Sequence, residues 1–178
     1  IKQLLLFGNL GKEYDLERFE RHLLCDEDGM FPDAFNSSWE PAVPRAELQK
    51  EGNIGWYRNP ARASQDSLGA VYEGAGEYRI VRPDFVFFVR LDDGTVAADL
   101  IDPHGDHLAD ALPKLKGLAR YAAANLGHFR RIEAITKSRK TGAFRKLDLT
   151  REDVRTAVEA AGSAEGLYAS AAAEDYAA

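Results

Sequence analysis

The segment between residues 85 and 101 constrains the fold more than any other part of the chain. Residues 85–91 are almost wholly Phe, Val and Leu, a turn sequence Asp92-Asp93-Gly94-Thr95 follows, and residues 96–101 are again largely apolar. This pattern predicts two antiparallel strands joined by a tight turn. Because both faces of the first strand are apolar, we expect it to lie inside a sheet that is covered on both sides.

Acidic residues stand at the open end of this hairpin. With a two-residue turn, Asp84 lies opposite Pro103, and with a loop one residue longer it lies opposite Asp102. In either register the two carboxylates are within cross-strand reach, and the period of two places Asp102 and His104 on one face of their strand. Two converging carboxylates repel each other unless a cation lies between them, so this end of the hairpin is a candidate metal site.

The remaining elements predict an α/β fold with a mixed central sheet flanked by helices. Their order is helix, strand, strand, strand, helix, strand. The elements are a helix from Ser38, a strand over 54–58, a loop over 61–76, the hairpin over 79–102, a helix from Asp106 or Asp110 to about 125, strands over 129–136 and 144–149, and a helix over 150–161.

The predicted boundaries divide the chain into three parts. Residues 1–37 read as a lead-in segment because glycines and an acidic turn interrupt their apolar run. Residues 38–162 form the domain, and residues 163–178 are an Ala-rich tail whose structure is weakly determined. The chain begins with Ile1, so we expect it to be a piece of a longer protein.

The composition excludes several classes of protein. The chain has 178 residues and a net charge of -6, so it shows no overall basic character of the kind that favours nucleic acid. Its single cysteine, Cys25, excludes an internal disulfide framework and a cysteine-rich zinc site. The sequence has no apolar run of membrane-spanning length and no signal-peptide layout, so we expect a cytoplasmic protein without a membrane partner.

Four segments carry a resemblance to a known family. They are Trp56-Tyr57-Arg58-Asn59-Pro60, Arg82-Pro83-Asp84-Phe85, Ile101-Asp102-Pro103-His104-Gly105 and the segment 107–114. Together they resemble the PD-(D/E)xK nuclease superfamily. More closely, they resemble the C-terminal nuclease domain of DEAD/DEAH-box helicases similar to type III restriction subunits. The resemblance covers about residues 36–136 and implies a restriction-endonuclease-like core.

The resemblance also implies a chemistry, the hydrolysis of DNA phosphodiesters by a metal-activated water. Asp84 and Asp102 would hold Mg²⁺, or Mn²⁺ in its place, and the Pro103 carbonyl would supply a further oxygen. Glu40 matches an acid that such nucleases contribute from the first helix, with Glu47 as an alternative. His104 stands where the family has lysine, and Lys114, or else Lys116, is a candidate for the missing cation.

The implied partners are DNA, an ATP-dependent helicase portion of the same polypeptide and a modification subunit. A local basic run offers a surface for phosphates. It comprises Arg130, Arg131, Lys137, Arg139, Lys140, Arg145 and Lys146, of which we assign the first five to nucleic-acid binding. Two other classes of function stay open: a degenerate nuclease fold that binds DNA or a partner without cutting, and a structural docking module of a larger helicase.

Several of these residues also have structural interpretations. Asp92 and Asp93 are typical of turn chemistry. The Trp56 segment is typical of core and strand-end structure. His107 is typical of a helix entry. A transition-metal site formed by Asp102, His104 and His107 is possible but lacks a standard ligand spacing.

Overall fold

A computed structural model describes residues 5–7, 13–33, 35 and 38–177. Within these residues the chain forms twelve strands and four α-helices. The strands are β1 (Leu5–Phe7), β2 (Glu13–Asp15), β3 (Glu17–Glu20), β4 (Met30–Asp33), β5 (Asn53–Arg58), β6 (Ala70–Gly74), β7 (Glu77–Val81), β8 (Phe85–Arg90), β9 (Val96–Pro103), β10 (Arg131–Lys137), β11 (Phe144–Asp148) and β12 (Glu174–Asp175). The helices are α1 (Ala42–Leu48), α2 (Ala111–Ala124), α3 (Glu152–Ala160) and α4 (Ala164–Tyr168).

Six strands form a mixed sheet in the order β12-β11-β10-β9-β8-β5. Its neighbours are antiparallel except β9 and β10, which are parallel and are connected through α2. The large mixed sheet flanked by helices confirms the predicted α/β class. Three two-stranded sheets, β1-β2, β3-β4 and β6-β7, complete the strand pairing of the described residues.

The central hairpin of β8 and β9 adopts the longer of the two predicted loops. The Leu91 amide donates to the Thr95 carbonyl at 2.9 Å, which leaves three residues in the loop. The last of them, Gly94, has φ +83°, a left-handed conformation that closes such a loop at little steric cost. The register pairs Phe85 with Ile101, so the next positions outward are Asp84 and Asp102.

Apolar side chains cover both faces of β8 and β9, as the sequence predicts. On one face, α2 and α3 pack over Leu100 and Ile132. On the other, Trp56, Phe85 and Ile101 form the core. Burying aromatic side chains of this size contributes about 2–3 kcal/mol each, which makes the hairpin a rigid support for the residues at its open end.

The predicted loop over 61–76 is wrong in its second half. Residues 70–74 form β6, which pairs with β7. Residues 79–81, which the sequence assigned to the main hairpin, belong to β7 and lie outside it. The connecting residues Ala75 and Gly76 have φ +54° and +78°, which is the backbone of a two-residue hairpin turn. Alanine at the first turn position gives no Asn-Gly or Asp-Gly signal, and the hairpin therefore escapes detection by sequence.

Residues on both sides of the predicted 38–162 limits belong to the core. Phe19 of β3 and Tyr176 are buried in the same cluster as Trp56. Tyr168 of α4 is buried against the α2 face, and β12 pairs with β11, which is therefore not an edge strand. No helix of the described residues is long and apolar enough to cross a membrane.

Two helices begin later than the sequence predicts. Helix α1 begins at Ala42 and not at Ser38, so Glu40 lies just before it. Pro41 is its N-cap residue, and Pro44 falls within the first turn, where its missing amide proton costs little. Helix α3 begins at Glu152 and not at Thr150, whose hydroxyl donates to Asp148 at 2.6 Å.

Candidate active site

The structure places a buried carboxylate, Asp102, and a partly buried one, Asp84, beside each other at the open end of the β8-β9 hairpin. The Asp84 side chain is 21% exposed and that of Asp102 is 8% exposed. Burial, together with repulsion from Asp102, raises the pKa of Asp84 to about 8. Near neutral pH, Asp84 therefore keeps a proton unless a cation compensates its charge.

Arg58, at the end of β5, brings further acids to this point. Its guanidinium lies 3.2 Å from Asp84 Oδ1, 3.3 Å from Asp33 Oδ2 and 3.7 Å from Glu40 Oε2. The same group lies over the ring of Phe85, 4.6 Å from its centroid. The predicted site residue Glu40 is thus close to Asp84. Arg58 lowers the pKa of Asp84, and Glu40 raises it.

Sequence reasoning assigned the Trp56 segment to structure and missed Arg58 as a site residue. Trp56 does lie in the core, fully buried. The period of two puts Trp56 and Arg58 on one face of β5, and the strand ends at Arg58, where the side chain can reach around to Asp84. An arginine at the end of an apolar strand, in a segment already singled out by the resemblance, is the signal that could have identified it.

His104 contacts a polar group through each ring nitrogen. Nδ1 lies 3.2 Å from Asp102 Oδ2, as the shared strand face predicts, and Nε2 lies 3.3 Å from the hydroxyl of Tyr168. Burial raises the pKa of Tyr168 well above its ordinary value, with Asp102 and Asp106 adding to the shift. The phenol therefore stays protonated and can donate to Nε2, and a ring whose proton is on Nδ1 donates to Asp102.

Tyr168 comes from the tail that the sequence left undetermined. Its helix α4 begins after Ser163, whose hydroxyl accepts from the Gly166 amide at 3.1 Å. Ser163 is a residue typical of a helix start, but the five-residue helix is too short for periodicity to reveal its buried face.

The lysine candidates are not brought to the carboxylates. Lys114 Nζ lies 2.7 Å from Asp110 Oδ2, one turn earlier on the helix. Lys116 lines a shallow pocket with Glu73 and Gly76, on the side of the β6-β7 hairpin. Glu47, the alternative to Glu40, is buried and bound to Arg131 and Lys50 away from the site.

The predicted basic surface is split between the two ends of β10. Arg130 and Arg131 stand at its start, where both bind the fully buried carboxylate of Asp99. Lys137 stands at its end, 5.3 Å from the centroid of the Phe144 ring, and Arg139 and Lys140 follow in the turn to β11. The five residues therefore do not form one continuous phosphate-binding surface, and Arg131 contributes instead to a buried ion network.

The donor set fits a hard divalent cation only in part. Asp84 and Asp102 offer carboxylate oxygens, and Pro103 ends β9 directly beside them. Among the described residues, no group of three or more His, Cys, Asp or Glu side chains has the geometry of a metal site. A cation here would therefore take two carboxylates, a backbone carbonyl and water.

The sequence matches one established family of proteins. The sequence model of the YagJ family matches residues 20–177. Protein YagJ of Escherichia coli strain K12 is 50% identical over 165 residues, which cover 93% of this chain and 66% of that protein. The chain thus spans just under two thirds of the length of this relative. No solved structure matches. With nearly its whole length covered by both matches, the chain belongs to the YagJ family.

Proposed function

We propose that the chain is a metal-dependent nuclease of the PD-(D/E)xK type, with a restriction-endonuclease-like core, that hydrolyses DNA phosphodiesters. The observation that carries this proposal is the cross-strand pair of Asp84 and Asp102, in which the pKa of Asp84 is raised to about 8. A carboxyl group with a strongly shifted pKa, held against a second carboxylate at the end of a rigid hairpin, is typical of catalytic sites. We also propose, from the resemblance, a helicase-associated role in restriction.

Asp84, Asp102 and the Pro103 carbonyl would hold Mg²⁺. When bound, the ion supplies a water of lowered pKa and neutralises charge on the phosphate. His104 orients the Asp102 carboxylate, since both of its ring nitrogens are engaged within the protein. Arg58 supplies the permanent positive charge that a lysine provides in related nucleases, because its guanidinium lies 3.2 Å from Asp84.

Metal binding tests the carboxylate pair directly. We expect calorimetric titration with Mn²⁺ to show one binding event in the wild type. Binding should be at least about tenfold weaker in Asp84→Asn and in Asp102→Asn, because each loses a charged ligand. The matched control is Asp92→Asn, an exposed acid at the other end of the same hairpin, which should bind as the wild type does. A folded wild type that does not bind Mn²⁺, or an equal loss in the control, contradicts the proposal.

A second candidate function is a nuclease fold that binds DNA without cutting it. The observation that favours it is that the Arg58 guanidinium lies 3.2 Å from Asp84, where its charge would repel a metal ion, while His104 replaces the family lysine. Cleavage of a labelled DNA duplex in Mn²⁺, lost in Asp102→Asn and retained in Asp92→Asn, separates the two functions. Retention of DNA without cleavage by Mn²⁺-loaded wild type supports the second candidate.

A further inference from the structure

A cleft next to His104 is the surface feature that lies beside the proposed active site without being used by the carboxylate pair. It has a volume of about 670 Å³ and lies between the β10-β11 turn, α4 and the segment after β9. This volume is within the range of small-ligand sites. Its lining includes Asp106, Thr136, Ser138, Arg139, Lys140 and Tyr168.

The cleft shares a wall with the proposed active site. The ring of Tyr168 lines the cleft, while its hydroxyl lies 3.3 Å from His104 Nε2. His104 in turn contacts Asp102. Tyr168 and His104 therefore connect a molecule in the cleft to the carboxylate pair through two side-chain contacts.

The inner part of the cleft presents hydrogen-bond acceptors. The Asp106 side chain is only 9% exposed, and Thr136 is fully buried. The Thr136 hydroxyl accepts from the Asp106 amide at 3.3 Å. This arrangement suits a ligand whose inner end carries N–H or O–H donors.

The outer part of the cleft is cationic and rich in hydroxyl groups. Lys140 lies 2.5 Å from Glu165 in an exposed pair, and the charges of Lys140 and Arg139 both lower the pKa of Glu165. Among the described residues, no carboxylate lies within ion-pair distance of the Arg139 guanidinium. Ser138 and Thr141 flank these residues in a turn closed by Gly142, whose φ is +74°. A guanidinium with neighbouring hydroxyl groups binds a phosphate well.

We propose that this cleft binds one nucleotide, with the base towards Asp106 and the phosphate towards Arg139. The inference rests in part on the proposed function, because it identifies the nucleotide beside the scissile phosphate as the occupant. The same chemistry would also accept a free mononucleotide. The other cations of the cleft do not compete for this role, since Arg145 is bound to Asp175 at 2.6 Å.

The test is an NMR titration of the amide signals with deoxyadenosine 5′-monophosphate, carried out in EDTA. We expect shifts concentrated in residues 106–107 and 138–143, with millimolar affinity, and about tenfold weaker binding of deoxyadenosine, which lacks the phosphate. Arg139→Gln should remove this preference. The control Arg62→Gln changes an exposed arginine outside the cleft and should retain it.

Further arms separate the sources of the nucleotide and the two proposals. A short single-stranded oligodeoxyadenylate that shifts the same amides at lower concentration identifies a strand as the ligand, and shifts with the mononucleotide alone identify a free nucleotide. Asp102→Asn should bind the mononucleotide as the wild type does, because the cleft does not include Asp102. Nucleotide binding is therefore tested independently of Mn²⁺ binding. Unchanged cleft signals at about 10 mM mononucleotide, or equal binding by both arginine variants, overturn the inference.

Discussion

Replacing Arg131 by methionine is expected to lower the free energy of unfolding by about 3–5 kcal/mol. The guanidinium lies 2.6 Å from Glu47, 2.8 Å from Asp99 and 3.3 Å from Glu133. All three carboxylates are at most 2% exposed, so the substitution removes the shared partner of three buried negative charges, each of which keeps one other, more exposed cation. Because the acids come from α1, β9 and β10, the loss weakens the contact between the helix and the sheet.

Urea unfolding measures this effect, and Arg130→Met is its matched control. Arg130 also binds Asp99, but its side chain is 39% exposed, and exposed ion pairs contribute about 1 kcal/mol or less. The comparison also tests the sequence-based assignment of Arg131 to phosphate binding. If Arg131→Met weakens DNA binding and leaves stability unchanged, the buried network is not its main role.

Asp84→Asn is expected to stabilise the protein at neutral and alkaline pH. The pKa of Asp84 is about 8 in the folded state, against about 3.9 for an ordinary aspartate, so folding takes up a proton between these values. The stability contributed by the protonated carboxyl is complete below about pH 4 and is lost as the pH rises through about 8. Asparagine does not ionise. The advantage of the variant should therefore grow by up to about 1.4 kcal/mol per pH unit across this window.

Urea unfolding of both proteins at several pH values in EDTA shows this divergence. Asp92→Asn, at the opposite end of the hairpin, should follow the wild type at every pH. Parallel stability curves for the wild type and Asp84→Asn would show that Asp84 ionises normally. Added Mn²⁺ should stabilise the wild type and leave Asp84→Asn unaffected, because only the wild type keeps the full ligand set. A gain of stability on removing a site residue is typical of groups retained for function.

The sequence alone determined the central hairpin and the elements around it. Residues 85–91 are almost all apolar, and the turn sequence Asp-Asp-Gly-Thr follows them. These signals leave few alternatives to two paired strands, because each signal lies within a few residues. Once the hairpin forms, chain geometry alone brings Asp84 towards Asp102 and puts Asp102 and His104 on one face. This part of the candidate site was therefore predictable, as was α2, whose apolar residues recur at helical spacing.

Only the tertiary structure decided the loop length of that hairpin and the partners of the site. A single extra loop residue, closed by Gly94, sets Asp84 opposite Asp102 and not Pro103. Arg58 and Tyr168 reach the site from β5 and α4, segments far apart in the chain, and no local pattern records such contacts. Arg131 and Arg139 look alike in the sequence, yet one is bound by buried acids and the other faces a cleft. Arg131 lies in β10 and Arg139 in the turn that follows it, and the groups around each are fixed only when the strands and helices pack.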